Sequence, residues 1–157
     1  MTWQTRLQHI GLALGCVPSL LRDRRQRQLL AEMRQLCRRL PTVLTQPIPQ
    51  AMVTLTPTVG EKRPFFPETT TRNLADLAAL LERQSPIGLC LRRSLIRYHY
   101  LRQLDIPVVV QFGAKLVPGK QQKEITGHAW LTLQDAPYHE AEENWRDFTV
   151  MFTWPNK

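Results

Sequence analysis

Ser85-Pro86-Ile87-Gly88-Leu89-Cys90-Leu91-Arg92-Arg93-Ser94-Leu95 is the stretch on which the fold turns. Ser-Pro-Ile-Gly breaks the element before it. Beyond it, Leu91, Leu95, Tyr98 and Leu101 return on successive turns, which predicts a helix from about Cys90 to Gln103. Cys90 then stands in a first helical turn, where unpaired amides and the helix dipole favour an anion. A cysteine so placed tends towards thiolate near neutral pH. Arg92 and Arg93 add positive charge beside it. Cys16 and Cys37 have no such setting and read as small hydrophobes on helices. The plain alternative for Cys90 is a packed, inert thiol.

Downstream, Asp105-Ile106-Pro107 is a turn. The β-branched run Val108-Val-Val-Gln-Phe112 predicts a strand, Val117 to Gln122 a loop, and Ile125 to Gln134 a second strand. Tyr138 onward and Phe148 to Phe152 read as further strands. A helix followed by consecutive strands implies an α+β fold, the helix packed on an antiparallel sheet. The second strand holds Gly127-His128-Ala129-Trp130-Leu131. Strand parity puts His128 and Trp130 on one face. A nucleophilic cysteine needs an imidazole brought across a cleft, and Cys at a helix start with His on the sheet facing it is the papain-like arrangement. The alternative is a core histidine satisfied by a carbonyl.

Such a base needs an orienting carboxylate. Asp135, Glu140, Glu142 and Glu143 follow the turn, and hairpin register decides among them. A three-residue loop, Asp135-Ala136-Pro137, pairs Thr132 with Glu140 and puts Glu140 on the face of His128. A two-residue loop instead puts His139 and Glu143 there. Asp135 fits a turn residue better.

Upstream, the region of residues 72 to 157 opens with a helix from about Asn73 to Gln84, carrying Leu74, Leu77, Ala78 and Leu81. Residues 41 to 71 are rich in Pro and Thr. The prolines exclude long helices and leave short extended pieces such as Ala51-Met-Val-Thr-Leu55. Val53, Leu55, Phe65 and Phe66 call for burial, so the segment reads as a cover over the core. Residues 1 to 40 are helical and basic, with an apolar stripe of Leu29, Leu30, Met33, Leu36, Cys37 and Leu40. Seven arginines lie from Arg22 to Arg39.

The 157 residues carry a net charge of +8, with 43% hydrophobic and 22% charged residues. That composition suits one globular domain and argues against fibrous or disordered chains. Three cysteines argue against a secreted disulfide scaffold and for a reducing cytoplasm. The apolar run Ile10 to Leu21 is too short to span a bilayer. A signal or lipoprotein site ending at Cys16 is less favoured than a helix with Leu7, Ile10 and Leu14 on one face. No aromatics interleave with the arginines, so a solvated face is favoured over nucleic-acid binding. Cys90, His99, His128 and His139 lack paired metal-ligand spacing, and there is no phosphate loop or dinucleotide fingerprint. No cofactor or metal is expected.

Cys90-Leu91-Arg92-Arg93-Ser94-Leu95, then Leu101-Arg102, Ile106-Pro107, a strand with Gly113, and His128-Ala129-Trp130 resemble the transglutaminase-like cysteine peptidases of lasso-peptide biosynthesis, the leader-peptidase B proteins. The likeness is strongest over residues 74 to 145. It implies a transglutaminase-like core over residues 72–157, after a basic helical segment (1–40) and a Pro/Thr-rich connection (41–71). The family's Cys and His match Cys90 and His128. Its Asp falls by spacing at Glu140, where this chain has one more methylene; Glu143 and Asp135 are the other candidates. The implied reaction removes the leader from a ribosomally made precursor peptide, with the Cys90 amide as oxyanion donor and Gln84 a weaker side-chain candidate. The implied partners are that precursor, a separate leader-recognition protein and a cyclase. Residues 1 to 40 read as helix alone, with no recognition domain, and their arginine face could dock that partner. A non-catalytic transglutaminase-like module that only binds a peptide or partner is the alternative.

Overall fold

The structure is a computed structural model that describes residues 22–58, 66–118 and 123–156. The helix expected around Leu7 to Leu14, the run to Leu21, and Cys16 and Phe65 lie outside the described residues.

Helix α1 spans Arg24–Val43. Asp23 caps it, its carboxylate accepting from the Arg25 amide at 2.8 Å. Leu29, Met33, Cys37 and Leu40 form its buried stripe. The helix does not stop at Pro41 but runs through it. Proline there removes one hydrogen bond near the end of the helix, and the next turn still closes, Leu44 N–H donating to the Leu40 carbonyl at 2.9 Å.

The connection is not extended as the prolines suggested. Ile48–Leu55 is helix α2, entered from Pro47 with Pro49 in its first turn. First-turn residues have no intrahelical amide partner, so proline there starts a helix rather than breaking one. Ala51, Met52 and Leu55 are buried, whereas Val53 is 63% exposed. Helix α3, Glu68–Leu81, begins five residues before the expected Asn73. Its Thr69-Thr70-Thr71 turn has low helix propensity, and burial of Thr71 against the core overrides it.

Helix α4, Leu89–Gln103, is the centre of the fold. Leu95, Ile96, Tyr98 and Leu101 are fully buried, and Arg92, Ser94, Arg97 and Gln103 are buried too. A helix covered on nearly every side loses the polar face that marks an amphipathic one. The guanidinium of Arg97 is satisfied by a two-pronged pair with Asp76 of α3 at 2.5 Å.

The sheet is antiparallel, with strands β1 (Val109–Pro118), β2 (Lys123–Leu133), β3 (Ala136–Pro137) and β4 (Thr149–Trp154) in the order β3-β2-β1-β4. The fold is α+β, as expected, with five helices among the described residues; the fifth is α5, Glu142–Trp145. β1 runs past Phe112 to Pro118, paired with β2 throughout. A bulge between Phe112 and Gly113 shifts the register of β4. One core joins α1, α2, α3, α4 and the sheet, including Met33, Leu55, Leu74, Ile96 and Val110. The Thr56 hydroxyl donates to the Met52 carbonyl, leaving its oxygen to accept from Tyr98 OH and Trp154 Nε1, both at 2.9 Å. That triangle ties α2, α4 and β4 together.

The β2–β3 hairpin departs from the favoured register. Leu133 pairs with Ala136, so the loop is the two residues Gln134 and Asp135, at φ 51° and 63°. Two positive φ values match the right-handed twist of the strands. No further strand begins at Tyr138; the chain leaves the sheet and turns into α5. Among the described residues no helix is long and apolar enough to cross a membrane.

Candidate active site

The site forms where the first turn of α4 meets the edge of β2. Strand β3 pairs only with Thr132 and Leu133, and among the described residues no strand pairs with the rest of β2 on that side. The head of α4 fills part of it. Ser94 Oγ donates to the Ala129 carbonyl at 2.8 Å, and the Ala129 amide hydrogen-bonds the Cys90 sulfur. Helix and strand are thereby locked in register, with Cys90 beside the backbone that carries His128.

Cys90 is half-buried and free. Burial pushes its thiol up, but the hydrogen bond and charge of His128, with the amides of Ala129 and Leu91, outweigh this and hold it below the ordinary thiol value. The arginines act elsewhere. Arg92 is 5% exposed and spends its guanidinium on the Ala79 and Ile87 carbonyls, clamping the loop before Cys90 to the end of α3. Arg93 pairs with Glu140. Cys37 is buried and, by that burial, raised to about 12, which makes it the inert thiol expected of it.

His128 sits in an aromatic slot. Its ring stacks on Trp130 with centroids 5.7 Å apart, as strand parity requires, and lies 5.3 Å from Phe148. Gly113 on β1 makes room for that slot. A Cβ there would stand 2.8 Å from Trp130 Cζ3 and 3.0 Å from Phe148 Cβ. Gly113→Ala will therefore push Trp130 against His128. We expect a loss of about 1–3 kcal/mol in thermal unfolding and a slower reaction of Cys90 with iodoacetamide at neutral pH.

Glu140 reaches His128, though by another route than the expected register. Its side chain is 3% exposed, and Oε1 lies 3.8 Å from His128 Nε2. A two-residue loop with continued pairing would turn Glu140 away. The Tyr138 amide still continues that pairing, donating to the Leu131 carbonyl at 2.8 Å, but His139 then takes φ 49°. That left-handed step breaks strand alternation and redirects Glu140 to the His128 side. Arg72, 2.7 Å from His139 Nε2, fixes the step. Glu143 and Asp135 are exposed and away from the site. Gln84 lies in an exposed turn beyond α3, and His99 Nδ1 is held by the Leu55 carbonyl at 2.8 Å.

Two partners of Glu140 escaped the sequence reading. Arg93 donates to Oε2, and Asn144 Nδ2 donates to Oε1 at 2.8 Å. The Glu140–Asn144 spacing of four residues, spanning a helix start, was the available signal. Burial works against ionisation of Glu140, but His128, Arg93 and Asn144 hold it down at about 2. For His128, burial opposes protonation; the Cys90 sulfur and the Glu140 carboxylate overcome it and raise it to about 9. At 3.8 Å the His128–Glu140 pair is ionic rather than hydrogen-bonded. Since Nε2 faces Glu140, Nδ1 is left to serve Cys90. The arrangement favours a thiolate–imidazolium pair, backed by a carboxylate. The first-turn amide of Cys90 has no intrahelical acceptor and is free for an oxyanion.

An α+β fold with a thiol at the head of its central helix and an imidazole on the sheet beside it defines a class, and the sequence comparison agrees. Residues 3–153 match the transglutaminase-like superfamily, and the chain belongs to it. Comparison with curated proteins and with solved structures finds no match.

Proposed function

We propose that this chain is a cysteine peptidase that removes the leader from a ribosomally synthesised precursor peptide, in the manner of lasso-peptide maturation. The observation that carries it is the assembly of Cys90, His128 and Glu140 from three separate elements into one line of charge. The lasso assignment rests further on the Cys-Leu-x-Arg-Ser-Leu and His-Ala-Trp motifs.

The Cys90 thiolate attacks the scissile carbonyl carbon, forming the C–S bond while the Cys90 amide holds the oxyanion. His128 gives its proton to the leaving amide nitrogen as the C–N bond breaks. Water then attacks the thioester, His128 takes a water proton, and the carboxylic product leaves as the thiolate re-forms. Glu140 keeps the imidazole oriented and stabilises its cationic form. The reaction calls for no cofactor. A separate leader-recognition protein delivers the precursor, and a cyclase takes the freed core; the free thiols suit a reducing cytoplasm. The exposed arginines of α1 are the proposed dock for the recognition protein, although Arg34 and Arg38 are already engaged with Glu82 at 2.8 and 3.0 Å.

The test uses peptides encoded by the short reading frames that neighbour this coding sequence, with and without the neighbouring small protein. Mass spectrometry is expected to show one cleavage, and acid quenching to trap an acyl adduct on Cys90. Cys90→Ala is expected to give neither. Peptide binding without cleavage or adduct in any combination would leave a non-catalytic binding module as the function.

A further inference from the structure

The antiparallel ladder makes alternate residues of β2 point their N–H and C=O groups to the same side. On the side away from β1, the Leu131 carbonyl is taken by Tyr138 and the Ala129 groups by Ser94 and Cys90. The next two residues of that series are Gly127 and Ile125. Both are exposed, and among the described residues no strand pairs with them. This open edge begins one step beyond the Cys90 sulfur. Gly127 has no side chain to obstruct an approach, and a Cβ there would meet nothing closer than 3.8 Å.

The sheet face next to the edge is apolar. Leu116 pairs with Ile125, so the two share a face. With Met151, supplied by β4 at its register shift, they line a groove of about 570 Å³. Their exposures are 63%, 77% and 71%. A long edge with exposed apolar residues is a pairing template that folds normally cover or blunt. Here it leads towards the nucleophile, since Ala129, whose amide hydrogen-bonds the Cys90 sulfur, is the next residue of the same edge.

We propose that the free edge of β2 at Gly127 and Ile125 binds the scissile segment of a peptide as an added strand, with an apolar side chain lying on Ile125 at the mouth of the groove. The proposal rests on the peptidase reading and names how that site holds its substrate. Main-chain hydrogen bonds supply affinity and the groove supplies selectivity. Ile125 is four residues from Ala129, about 13 Å along the strand. The selected apolar residue therefore lies about four residues from the scissile bond.

The test compares two reversible thiol ligands: a capped dipeptide α-ketoamide, and a longer alanine-based α-ketoamide with leucine four residues from the reactive carbon on each side. Affinity is read from protection of Cys90 against iodoacetamide. The longer ligand is expected to bind at least about tenfold tighter, two main-chain hydrogen bonds giving about that factor. N-methylation of its backbone amides, or Gly127→Pro, should remove most of the advantage. The Gly127 amide faces the free edge, so proline costs no bond to β1. Ile125→Ser should remove the preference for leucine over alanine at the distal position. Equal affinity of the two ligands, or an advantage that survives both N-methylation and Gly127→Pro, would overturn the proposal. So would a dimer in which a second copy occupies this edge. The iodoacetamide rate alone, with its dependence on pH and His128, tests the Cys90–His128 pair separately and so distinguishes failure of the site from failure of the edge.

Discussion

In a Cys16→Ala background, Cys90 will react with iodoacetamide as a thiolate below the ordinary thiol range, and His128→Ala will slow it at pH 7 by at least about tenfold as the thiolate fraction falls. The sign follows from the balance at the sulfur. Burial alone drives the thiol up, and His128 supplies the leading opposing effects. Without the imidazolium, only the amides of Ala129 and Leu91 oppose burial, so the thiol returns to or above its ordinary value. In the wild type, the rate will rise as the thiolate forms below the ordinary thiol value and change again near pH 9, where His128 loses its proton. Those two steps belong to the pair. Cys37 will not interfere, because it is fully buried and raised to about 12. A single ordinary titration, unmoved in the His128 variant, would show that the two groups do not act together.

Much of this site was legible in the sequence, and for local reasons. Cys90 could be placed because Ser-Pro-Ile-Gly is a strong break and the following helix begins at once. His128 and Trp130 could be placed on one face because strand alternation holds wherever a strand is paired on both flanks of the residue. The third group depended on register, and there the local rule failed twice with compensating effect. The loop is one residue shorter than favoured, which turns Glu140 away from His128, and the left-handed His139 turns it back. Nothing in Tyr138-His139-Glu140 signals that step, whose tertiary contacts, such as Arg72 at His139 Nε2, come from distant parts of the chain. The proline-rich connection misled for a different reason. Proline disfavours helix interiors, but Pro47 and Pro49 stand where a helix begins. Arginines 92 and 93 read as a patch of charge, whereas folding gives one to backbone carbonyls and the other to a carboxylate.

Glu140→Gln will show whether that carboxylate does more than fill space. The variant keeps the shape and leaves an acceptor oxygen, but it removes the charge facing His128 and Arg93. With one of its two supporting anions gone, the His128 pKa will fall from about 9 towards its ordinary 6.5. The alkaline limb of peptide cleavage requires imidazolium to protonate the leaving amine. That limb will therefore move to lower pH, and turnover at pH 8 will drop by up to about thirtyfold as the imidazolium fraction falls. A residue that only packs would lower turnover without moving the limb. Stability supplies an independent readout. Glu140 is held at about 2 in the fold against an ordinary 4.5, so its contribution is complete above about pH 4.5 and is lost as the pH falls towards 2. His128 is raised, so its contribution is complete below pH 6.5 and is lost as the pH rises through 9. The stability gap between wild type and Glu140→Gln, measured by urea unfolding, will therefore be widest between about pH 4.5 and 6.5 and will close towards both ends. A gap that stays constant with pH would assign Glu140 to packing. Glu140→Asp keeps the charge on a shorter arm; it should preserve the pH profile while lowering turnover less than Gln, since the distance to Nε2 is already 3.8 Å and the attraction across it is one of charge.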